Sequence, residues 1–135
     1  MDKFLDDEIV LLNSRLKDAK ERIEHCNKRK DKENLDIAIK TVDDFERRIF
    51  LINDIKLEKD EKQKKELILK YLNFEIDFTQ KSIECLIMEK ESWEKSEDIN
   101  YPKYIQYKEE ELIRIQKEMQ EYQERLERLQ KLKDN

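Results

Sequence analysis

Residues 5–26 read LDDEIVLLNSRLKDAKERIEHC, and the placement of their apolar side chains decides the fold. Leu5, Ile9, Leu12, Leu16, Ala19, Ile23 and Cys26 recur at alternating steps of four and three residues. That spacing lays one apolar stripe along an α-helix and is incompatible with a strand, whose faces repeat every two residues. Asp2 is the expected N-cap, and Asp6, Asp7 and Glu8 suit the positive end of the helix dipole. The stripe ends at Cys26. Asn27 to Asn34 is wholly polar and Leu35 falls out of phase, which predicts a turn.

Outward from this stretch the pattern returns. Leu35, Ala38, Val42, Phe45, Ile49 and Ile52 make a second stripe, which Ile39, Phe50 and Leu57 are expected to widen. The polar run that follows predicts a second turn near 58–65. A last seam, Ile105, Lys108, Leu112, Ile115, Met119, Tyr122, Leu126 and Leu129, follows Pro102, with Asn100 as the expected cap. Helices are therefore expected over about 3–26, 35–57, 66–95 and 101–133, in a single domain spanning 1–135. A parallel dimer of the last helix would set Glu111 against Gln116, Glu118 against Gln123 and Arg125 against Gln130. No opposite charges meet in that pairing, so antiparallel packing is favoured. The expected fold class is all-α: an antiparallel helical bundle, coiled-coil-like, of three to four long helices.

Composition narrows the functions. The chain has no glycine, one proline and 47% charged residues, against about a quarter in ordinary domains. Gly-rich phosphate loops, dinucleotide fingerprints and nucleophile elbows all need backbone conformations that glycine alone tolerates, so they are excluded. Tight β-hairpins are disfavoured for the same reason. The 29 basic and 34 acidic residues leave a net charge of −5, concentrated in 67–100, where eight acidic groups face four basic ones. Such mixed charge builds no field for nucleic acid, which is a disfavoured partner. No apolar run exceeds four residues, so no membrane partner is expected. The acidic N-terminus lacks the apolar core of a secretory signal, and a cytoplasmic protein is expected. Cys26 and Cys85, both placed on apolar-facing positions, should then be reduced and act as small hydrophobes.

Catalytic and metal chemistry find little support. His25 is the only histidine, Arg22 stands where a Glu-x-x-His di-iron motif needs its glutamate, and there is no Cys-x-x-Cys pair for zinc. Cys26 follows His25 directly, but adjacent helical residues point about 100° apart and do not face each other. No cofactor, metal or enzymatic activity is expected.

The positive signal is aromatic. Along 66–95, Ile68, Leu69, Leu72, Ile76, Thr79, Ile83, Leu86 and Ile87 share one face. Leu67, Tyr71, Phe74, Phe78 and Cys85 lie roughly opposite, with Glu75, Asp77 and Glu84 among the acidic residues of the remaining surface. Around Pro102 cluster Trp93, Tyr101, Tyr104 and Tyr107. Tryptophan and tyrosine dominate interface hot spots, and a bundle end-cap is the structural alternative for this cluster. The expected partner-binding residues are Leu67, Tyr71, Phe74, Phe78, Trp93, Tyr101, Tyr104 and Tyr107. The expected partner is another protein, and the neighbouring acidic surface favours one with a basic face. The alternative function is homo-oligomerisation through the same strip, giving a homodimer.

Overall fold

The computed structural model describes residues 1–96 and 102–135. They form four helices, α1 (Asp2–Arg29), α2 (Lys32–Leu57), α3 (Glu61–Lys95) and α4 (Pro102–Asp134), with no strand among the described residues. The all-α reading of the stripes therefore holds. The chain divides into two units, Met1–Ile68 and Leu69–Asn135, with the boundary inside α3. Asn100 and Tyr101, the expected cap and first residue of the last helix, lie outside the described residues.

In the first unit α1 and α2 pack antiparallel. Lys56 near the end of α2 pairs with Asp6 near the start of α1, and Lys20 reaches Glu46 at 4.0 Å. The two stripes supply buried Leu5, Leu12 and Ala19 from α1 and Ala38, Val42 and Ile52 from α2, and Glu8, Arg48 and Ile55, off the stripes, are buried as well. Ile39, Phe50 and Leu57 do not widen the stripe. They are 44%, 67% and 77% exposed, because their positions fall well over 100° from the buried line of α2.

Polar side chains cap the starts of α2 and α3, whereas backbone bonds close both ends of α1. Met1, not Asp2, is the N-cap of α1, and its carbonyl accepts from Leu5 N at 3.0 Å. Asp2 instead occupies the first turn. At the other end α1 runs three residues past Cys26 and closes at Lys30, whose φ of 56° and ψ of 35° are left-handed. Lys30 N donates to Asn27 O at 3.3 Å and Asp31 N to Cys26 O at 3.1 Å, a Schellman closure with lysine where glycine is usual. Asp31 then caps α2 by accepting from Asn34 N at 3.3 Å and from Asn34 Nδ2 at 2.6 Å. These bonds, the side-chain one foremost, hold its carboxyl below the ordinary value.

A break at Glu58–Asp60 separates α2 from α3. Asp60 Oδ1 accepts from Lys62 N at 2.9 Å and Gln63 N at 3.1 Å, so α3 begins at Glu61, five residues before the expected start. An all-polar turn is helical there because its amides are capped and its residues are good helix formers. Lys64 in that turn also lies 3.8 Å from Asp2.

In the second unit α3 and α4 pair antiparallel. Glu75 meets Arg125 and Glu89 meets Arg114, while Trp93 meets Tyr107 near the other end. Leu72, Thr79 and Leu86 on α3, with Ile115 and Leu129 on α4, are buried. Pro102 opens α4, a position where its missing N–H costs nothing.

Candidate functional site

The α3 sequence places its inward line between the two faces read from hydrophobicity. Tyr71, Leu72, Glu75, Thr79 and Leu86 are its buried residues. Tyr71 is fully buried and therefore does not stand on an outward strip, because on the helix wheel it lies about 40° from Glu75, towards the inward line, with Phe74 about 60° away on its other side. Leu69 and Ile87, expected on the core face, are 45% and 40% exposed. Phe74 is 44% exposed, Phe78 one turn further on is half-buried, and Leu67, in the first unit, is half-buried. Cys85 is exposed rather than apolar-facing, and Cys26 is half-buried; both are free.

Two acidic residues near the phenylalanines are set differently by their partners. Asp77 holds Lys81 at 3.0 Å and, chiefly through that hydrogen bond, raises the lysine's pKa. Glu75, expected on the acidic surface, is fully buried, and its Oε2 accepts from Arg125 Nη2 at 3.1 Å. The position three residues after Leu72 and four before Thr79 is core by phase, and a count of apolar residues alone passes over it. Glu8 and Arg48 are the corresponding buried charges of the first unit. Arg48 Nη1 lies 3.4 Å from Asp44 Oδ2 and its guanidinium sits 5.4 Å from the Phe45 ring centroid.

Trp93, Tyr104 and Tyr107 do come together. The Trp93 ring lies edge-on to Tyr107 at 5.6 Å and tilted to Tyr104 at 6.4 Å, distances at which aromatic pairs attract beyond their buried area. Lys108 Nζ donates to Ser96 O at 3.4 Å beside them. Trp93 and Tyr104 are half-buried and Tyr107 is 53% exposed, so this cluster both closes the helix pair and presents a wet aromatic edge. Tyr101, the remaining expected member, lies outside the described residues. Arg114, about two turns beyond Tyr107 along α4, donates to Glu111 at 2.8 Å and Glu118 at 3.0 Å and bonds Glu89 across the pair, which raises its already high pKa.

Among the described residues no group of three or more His, Cys, Asp or Glu side chains converges to hold a metal ion. Nor is any described helix long and apolar enough to cross a membrane. What the arrangement offers chemically is apolar area with polar tips, which suits contact with another macromolecule.

The chain matches no protein-family model, no curated protein and no solved structure.

Proposed function

We propose that this chain acts without catalysis, by stoichiometric binding of another protein through the aromatic side chains of its second unit. One observation carries the reading: Phe74 is 44% exposed beside the half-buried Phe78, on a helix whose inward side is already filled by Tyr71, Leu72 and Leu86. Fully burying a side chain of that size is worth roughly 1.5–3 kcal/mol, which a partner can recover. Trp93, Tyr104 and Tyr107 form a second contact surface further along the same helix pair. Acidic residues Glu84, Glu91 and Glu94 beside these groups favour a partner with a basic face. An adaptor, a secretion-type chaperone, an immunity protein or an inhibitor encoded by a phage or mobile element would all work this way. In this reading the protein operates in the cytoplasm, which keeps Cys26 and Cys85 reduced.

The test is an affinity capture from the native host with wild type beside a Phe74→Glu/Phe78→Glu variant, read by mass spectrometry. One protein recovered near one-to-one with wild type and lost from a variant of unchanged helicity supports the proposal. Recovery of the chain alone, together with a doubled mass in light scattering, would replace it by homo-oligomerisation.

A further inference from the structure

The first unit carries a cleft that the aromatic surface does not explain. Beside the α1–α2 turn the two helices leave a space of about 270 Å³. Its cause is local sequence: Ala19 and Ala38, both buried, are too short to meet where leucine and isoleucine close the rest of the pair. Arg22, His25 and Arg29 rise along its α1 side, and Ile37, 62% exposed, stands on its α2 side.

The charge around this cleft is one-sided. Its lining includes a single carboxylate, Asp31, and both oxygens of that group are occupied by Asn34. Among the described residues neither Arg22 nor Arg29 takes part in a salt bridge. Two guanidinium groups thus border an apolar floor; Arg29 acts on Asp31 through its charge without a salt bridge, and Arg22 has no carboxylate beside it in the lining. The space is smaller than the ~300–1,000 Å³ of small-molecule pockets and is the size of one or two side chains.

We propose that this cleft docks an acidic protein segment bearing one apolar anchor. The anchor fills the gap over Ala19 and Ala38 against Ile37, and carboxylates on either side of it pair with Arg22 and Arg29. Arginine forks suit carboxylates because they bind two oxygens in a fixed plane. The charge of this site is opposite to that beside Phe74, so it does not depend on the reading of the second unit.

The experiment titrates full-length ¹⁵N-labelled protein with the acetylated, amidated hexapeptide Glu-Glu-Leu-Phe-Glu-Glu. Saturable shifts at the amides of Arg22, Cys26, Ile37 and Thr41 are expected. An Arg22→Gln/Arg29→Gln variant, both positions being exposed, should keep its helicity and bind roughly tenfold more weakly. The same peptide with glutamine for glutamate should weaken alike. Absence of saturable shifts at about millimolar peptide overturns the proposal, and so does equal binding of the glutamine peptide. Identical shifts with inorganic phosphate alone would reduce the cleft to a bare anion site, and tighter binding of a short RNA would assign it to nucleic acid; either result rejects an acidic protein segment.

Discussion

Lys30 shows how a single residue settles a chain reversal in a protein without glycine. Its left-handed backbone costs roughly 1–2 kcal/mol for a residue with a Cβ, of which glycine would give back ~0.4–1 through its freer unfolded chain. Lys30→Gly should therefore stabilise the protein by about 0.5–1 kcal/mol, measured by urea unfolding. Its neighbour Asp31 makes a pH prediction. Its folded-state carboxyl lies below the ordinary 3.8, so the stabilisation from its ionised form is complete above that pH and is lost as pH falls through the depressed value. Wild type should be more stable than Asp31→Asn above pH 3.8, and the difference should shrink in acid, as followed by circular dichroism. In the second unit, Arg125→Met removes the cation that pairs with the buried Glu75 and should cost ~3–5 kcal/mol, whereas Glu75→Leu/Arg125→Met should recover most of that loss in the same unfolding assay. The stripe positions were legible from spacing. The burial of Glu75 and Arg125 was not, because a charged residue on core phase reads as a solvated one until its partner on another helix is known.

At the scale of the element, α3 is a long helix with two different demands along it. Its first turn is polar all round and depends on Asp60, whose carboxylate accepts two amide hydrogens. Asp60→Ala should cost ~1 kcal/mol and lower amide-exchange protection first at Lys62 and Gln63. Further along, Phe74 and Tyr71 are three residues apart, yet one is 44% exposed and the other fully buried. Phe74→Glu should accordingly leave helicity and unfolding midpoint nearly unchanged, while the same charge at Tyr71 should unfold the second unit. The hydropathy pattern placed both aromatics on one strip because it weighs apolar residues alone. The inward line is centred on Glu75 and Thr79, and that moves Tyr71 inside.

At the scale of the whole molecule, mixed charge and the absence of glycine are the governing features. With 29 basic and 34 acidic groups interspersed, the protein should show no retention on DNA or RNA columns at physiological salt. Protein binding through Phe74 and Phe78 further requires a free chain of 16.7 kDa at all working concentrations in light scattering. A mass that doubles with concentration would assign the aromatic surface to self-association instead.

The sequence by itself determined the helices, the main stripes of α1, α2 and α4 and most of the helix ends, because periodicity, capping groups and the lack of glycine and β-turn chemistry act locally. It also located the aromatic residues that gather around Trp93. Only the tertiary structure decided which charges are buried, that Phe74 and not Tyr71 meets solvent, and that two alanines leave a cleft between α1 and α2. Each of these depends on which side chain a neighbouring helix brings opposite, and that information is held in no single helix.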